Sequence, residues 1–123
     1  MKKLFFVLFL FSCTLTFAQK QVQFSTVKHS FGKIEQNKPK TFVFSFKNTS
    51  TQPLVVEVAT AECGCTTPVY PKAPIARGKS DAIKVTFNAA TAGTFSKKVT
   101  VKFANIDAPV ILTIEGEVIA KKS

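Results

Sequence analysis

The 123-residue chain has no tryptophan and only one histidine, one tyrosine and one methionine. It has three cysteines and seven acidic residues. A four-ligand zinc centre is hard to build from that stock, because only His29 and nearby acids such as Glu62 can add to the thiols. No paired-carboxylate pattern, glycine-rich phosphate loop or Gly-x-Ser-x-Gly elbow is present, so the sequence names no catalytic residue. Helical periodicity is missing outside the first residues, which excludes a bundle. The one long apolar run, Leu4 to Phe11, is shorter than the roughly 20 residues a membrane-spanning helix needs. No aromatic residues are interleaved with the lysines as a stacking platform, which argues against nucleic acid as a partner.

What is there begins with a leader. Lys2 and Lys3 precede the apolar run, and Thr16-Phe17-Ala18 places small residues at −3 and −1. Residues 1–18 therefore read as a signal peptide cleaved before Gln19, and the chain is expected in the periplasm or secreted. Leu10-Phe11-Ser12-Cys13 offers a competing lipoprotein site, with a lipid anchor on Cys13. The continued apolar stretch after Cys13 favours soluble export. Removing Lys2 and Lys3 leaves 15 Lys and Arg against 7 acids, a net charge of +8. Such a balance suits solubility and the guarding of sheet edges.

Residues 19–123 read as one domain, with period-two alternation broken by turn residues every 8–12 positions. That pattern predicts an all-β, immunoglobulin-like antiparallel sandwich of about seven strands. Candidate strands run from Val22 to Val27, Thr41 to Lys47, Leu54 to Thr60, Ala82 to Phe87, Phe95 to Phe103 and Val110 to Val118. Phe31 to Ile34 adds another short piece, bent at Gly32. Phe42, Phe44 and Phe46 share one face, as do Leu54, Val56 and Val58. The 13 Phe take over the bulk filling that tryptophan would otherwise share. The segment after Thr66, with Pro68, Pro71 and Pro74, cannot be a central strand, because proline donates nothing to a ladder.

Several short stretches together carry a family resemblance. They are His29-Ser30-Phe31-Gly32-Lys33-Ile34, Phe46-Lys47-Asn48-Thr49, Cys63-Gly64-Cys65-Thr66, Pro74-Ile75-Ala76-Arg77-Gly78 and Val85-Thr86-Phe87-Asn88. In this order they resemble a bacterial domain-of-unknown-function family, secreted and often found in Bacteroidota. Its members more often carry Asp at the place of Ser30 and Pro at the place of Ala76. The resemblance implies an immunoglobulin-like sandwich of the major-sperm-protein type and an exported location. It implies no particular activity.

Cys63 and Cys65 are the only cysteines beyond the leader. In a flat strand their Cα atoms would stand ~6.6 Å apart, near the upper limit for a disulfide. Gly64 is expected to relieve this by adopting a positive φ and curling the pair together. Three uses stay open. The pair is a structural element with or without a disulfide, a soft-metal site for an ion such as Cu(I), or an exchangeable dithiol. Carrying the alternation of Leu54, Val56 and Val58 forward places both cysteines on the outer face. His29 is expected either to pack beside Phe31 or to meet the cysteines as a third ligand or a base. The expected function is that of a non-enzymatic envelope module without a cofactor, contacting an unidentified protein or envelope partner. Metal binding or thiol redox chemistry at the Cys-Gly-Cys pair is the alternative.

Overall fold

The computed structural model describes residues 21–121. The expected leader at 1–18, its cleavage site and Cys13 lie outside the described residues. Eight strands form: β1 (Val22–Phe24), β2 (Lys28–Glu35), β3 (Lys40–Asn48), β4 (Val56–Ala61), β5 (Thr66–Val69), β6 (Ser80–Phe87), β7 (Gly93–Phe103) and β8 (Val110–Ile119). They make two four-stranded sheets, in the orders β1-β3-β6-β5 and β2-β8-β7-β4. The described residues hold no helix, and so none long and apolar enough to cross a membrane.

The architecture follows from the alternation. Phe44 and Phe46 on β3, Ile83 and Val85 on β6, Val101 and Phe103 on β7, and Leu112 and Ile114 on β8 all point inward and are buried. Full burial of each such side chain contributes roughly 1.5–3 kcal/mol. Phe46 and Phe103 meet across the two sheets at 5.6 Å between ring centroids, edge to face. The sandwich closes through these contacts, as two sheets with one apolar face each must.

Three features depart from the sequence expectation. First, the expected initial strand, Val22 to Val27, divides between the sheets. The Ser25 N–H still donates to Ser45 in the first sheet, whereas the Val27 carbonyl accepts from Thr113 in the second. β2 then runs parallel to β8, so the second sheet is mixed rather than purely antiparallel. Gly32, at φ 67°, bulges β2 between Ser30 and Lys33. Gly116 lies under that bulge, where an added Cβ would come within 2.7 Å of the Gly32 carbonyl oxygen.

Second, the Pro-rich segment, read from its prolines as a loop and no central strand, is indeed not central but begins with a real strand. β5 pairs with β6 from Thr66↔Phe87 to Val69↔Lys84 and includes Pro68. It is an edge strand, the one place in a sheet where a missing donor costs little. Third, Leu54 and Val56 point inward but Val58 is 41% exposed. A register shift between Val56 and Val58 inserts a residue and reverses the alternation, so Ala59 faces the core instead.

The turn after β3 hangs on a buried polar residue. The Asn48 side-chain amide donates to the Gln52 carbonyl at 2.8 Å and to the Ile75 carbonyl at 2.9 Å. Its side-chain oxygen accepts from the Ser50 N–H at 2.9 Å and from the Ser50 hydroxyl at 2.7 Å. Asn48 is fully buried, and this network satisfies both ends of its amide.

Candidate functional site

β4 is an edge of the second sheet and β5 an edge of the first. Residues 62–65 carry the chain from one to the other, so the Cys-Gly-Cys stretch is a sheet-to-sheet crossover. Backbone bonds pin it on both sides. The Glu62 N–H donates to the Lys98 carbonyl at 3.2 Å, and the Asn88 N–H donates to the Cys65 carbonyl at 2.9 Å. The Glu62 carboxylate accepts the Lys98 N–H at 3.1 Å, which commits it to β7.

Between these anchors the chain makes one tight turn, closed by the Thr66 N–H on the Cys63 carbonyl at 3.4 Å. The two cysteines are bonded to each other, with Cα atoms 5.3 Å apart. The curl does not come from a left-handed Gly64. Gly32, Gly78 and Gly93 have positive φ, and Gly64 does not. A turn bonded from residue i to i+3 brings its ends together with ordinary φ at both central positions, and that suffices here. Gly64 forms the exposed tip, and a Cβ added there would meet nothing within 4 Å.

Both cysteines are half-buried rather than outward-facing, and Cys65 packs against the core cluster. The bulge in β4 explains the difference from the sequence expectation. Once Ala59 rather than Val58 faces inward, the odd-numbered positions lead towards the interior. Thr66 follows, only 4% exposed. Its hydroxyl lies 3.5 Å from the Cys65 sulfur and 3.8 Å from the Cys63 sulfur. Sequence reading assigned Thr66 no role. The available signal was its place directly after the second cysteine in the Cys-Gly-Cys-Thr motif.

His29 is not brought to this site. It lies on β2, the edge of the second sheet opposite β4, three strand spacings or about 14 Å across. Its ring stacks on Phe42 at 3.7 Å and 6°, and meets Phe31 edge-on at 4.9 Å. No group of three or more His, Cys, Asp or Glu able to hold a metal ion occurs among the described residues. Away from the cysteines, a recess of about 890 Å³ lies between β1 and the start of β8. Val22, Phe24, Val27, Ile106 and Pro109 line it, and no ionisable side chain does.

The family model described as "Protein of unknown function (DUF1573)" matches residues 22–118. Comparison with curated proteins yields no match. Among solved structures, a protein of unknown function from Porphyromonas gingivalis W83 is similar over 82% of this chain, at 11% identity and a TM-score of 0.68. This chain spans 50% of that protein's length. The ASH / PapD-like domain 7 of human CEP192 is similar over 83% of this chain and 87% of its own, at 9% identity and a TM-score of 0.70. The YadV chaperone is similar over 85% of this chain and 55% of its own, at 14% identity and a TM-score of 0.58. At these identities the likeness is one of fold.

Proposed function

The chain belongs to the DUF1573 family of proteins of unknown function, and we propose that it is an exported, non-enzymatic binding module of the cell envelope. Export is supported by the leader pattern in residues 1–18 and by a cysteine pair suited to an oxidising compartment. A binding role is supported by the sandwich itself, whose interior is filled by side chains.

The observation that carries the reading is the uneven protection of the sheet edges. β1 is three residues long, and β5 is four residues long with a proline. β2 is bulged at Gly32 and carries Lys28, Lys33 and Glu35. These are the usual devices that prevent one sheet from adding to another. β4 (Val-Glu-Val-Ala-Thr-Ala) has six residues without proline, glycine or lysine; its bulge and its one charge, Glu57, lie at its start, and Val58 to Ala61 pair regularly with β7, with Val58 exposed. It is the edge best suited to pair with an extended segment of a protein partner, with main-chain bonds giving affinity and Val58 a side-chain contact.

A photo-crosslinking residue placed at Val58, with another at Ser45 on the outer face of the first sheet, tests this in the native envelope. A single discrete adduct from position 58 alone is the expected result. Equal labelling from both positions, or none from 58, would refute strand addition at β4. The intact mass of protein recovered from the envelope tests export. A chain starting at Gln19 is expected, and a lipid-modified Cys13 would replace soluble export with anchoring.

A further inference from the structure

We propose that Cys63–Cys65 is a thiol–disulfide exchange site, attacked at Cys63, with Cys65 as the leaving sulfur held by Thr66. This is independent of the docking role suggested for β4.

The leading observation is the Thr66 hydroxyl. It is buried, and its hydrogen-bonding contacts are the two cysteine sulfurs. A hydroxyl taken out of water needs a good partner. A disulfide sulfur is a weak acceptor, whereas a thiolate is a charged one and forms a much stronger bond. The site is therefore better satisfied when one sulfur is a thiolate than when both are bonded to each other. Stabilising the reduced form is what makes a disulfide oxidising and labile.

Geometry distinguishes the two sulfurs. Cys65 packs on the core and is nearer to the hydroxyl, at 3.5 Å. Cys63 lies farther from it, at 3.8 Å, beside the open tip at Gly64. An external thiolate therefore reaches Cys63. Its sulfur bonds to the Cys63 sulfur, the bond between the cysteines breaks, and the electron pair leaves on Cys65. The Thr66 hydroxyl donates to that new thiolate. A second external thiolate then attacks the mixed disulfide at the external sulfur. It releases an external disulfide and leaves Cys63 as a thiolate, which takes a proton from water. The protein gains two electrons, and two external thiols are oxidised to one disulfide.

The test equilibrates the purified chain with reduced and oxidised glutathione and counts free thiols by alkylation and intact mass. Wild type is expected to become partly reduced in such mixtures while still folded. Thr66→Val should shift the equilibrium about tenfold towards the disulfide, a potential lower by about 30 mV. Thr66→Ser should stay within about twofold of wild type, which a merely steric role for Thr66 would not produce. A separate arm does not depend on Thr66. In Cys65→Ser the remaining Cys63 should form a mixed disulfide with oxidised glutathione about tenfold faster than Cys65 does in Cys63→Ser. A disulfide that resists glutathione until the chain unfolds would overturn the proposal. So would equal shifts in the two Thr66 variants, or a faster reaction at Cys65.

Discussion

Replacing both cysteines, Cys63→Ser with Cys65→Ser, should lower stability only slightly. The bridge closes a loop of three residues, counting both ends. In the chain-entropy model such a loop removes about 5.4 cal/mol/K from the unfolded state, or about 1.6 kcal/mol at 25 °C. A 15-residue loop would give about 3 kcal/mol. The serine hydroxyls would also offer Thr66 better acceptors than disulfide sulfur, which offsets part of the loss. For a domain of this size the expected fall in Tm is at most about 6–13 °C. Thermal and urea unfolding of wild type, reduced wild type and the double variant measure it, and the last two should agree. A loss above about 3 kcal/mol would mean that the bridge holds the two sheets together. A bond with that role would resist exchange in the folded chain, because opening it would cost the same stability.

Asn48→Ala should be far more damaging. It removes four hydrogen bonds, although the Leu54 N–H still serves the Ile75 carbonyl and the released Ser50 hydroxyl can serve that of Gln52. A net loss of about 3 kcal/mol is expected by urea unfolding, and a loss under about 1 kcal/mol would contradict the network. The hydrogen bond and charge of Lys38, 2.8 Å away, hold the Glu35 carboxyl below its usual range, with Lys121 and Lys40 adding to it. Its folded pKa being lowered, the small stabilisation is complete above the unfolded value and lost as pH falls through the folded one. An NMR titration of Lys38→Gln should show the Glu35 pKa rising towards the ordinary value. After reduction, Cys63 and Cys65 present two thiolates to a soft ion, and the expected uptake is about one Cu(I) per chain. His29→Ala should leave that uptake unchanged, and a clear loss would contradict the placement of His29 on the far edge.

Much of the fold is legible in the sequence. Alternation along Thr41 to Lys47, Ala82 to Phe87, Phe95 to Phe103 and Val110 to Val118 identified four strands and their inward faces, and sheet order then placed all four centrally. Side-chain period is a local property, and these strands are long enough to show it. The Cys-Gly-Cys pair was also visible as the likeliest place for chemistry, because cysteine is scarce and the spacing is short.

Other features depended on which distant residues meet. Period-two alternation says which side chains share a face, but one inserted residue reverses it, and the bulge at Val56–Val58 has no distinct composition. That single register shift turned Val58 outward and the cysteines inward. The division of residues 22–35 between two sheets was hidden for a similar reason: each half looks like strand, and only pairing with β3 or β8 separates them. Asn48 stands in a polar stretch, Asn48 to Pro53, that reads only as a turn, yet one of the acceptors that makes it a hub, Ile75, lies 27 positions away. His29 and the cysteines were candidate neighbours in a one-dimensional reading, and sheet order set them on opposite edges. Sequence alone determined the strands from Thr41, Ala82, Phe95 and Val110, their inward faces and the place of the Cys-Gly-Cys pair, because those rest on local periodicity and residue chemistry. Tertiary structure decided register, edge exposure and the partners of Thr66, Asn48 and His29, because long-range pairing brings together groups that local sequence leaves unconnected.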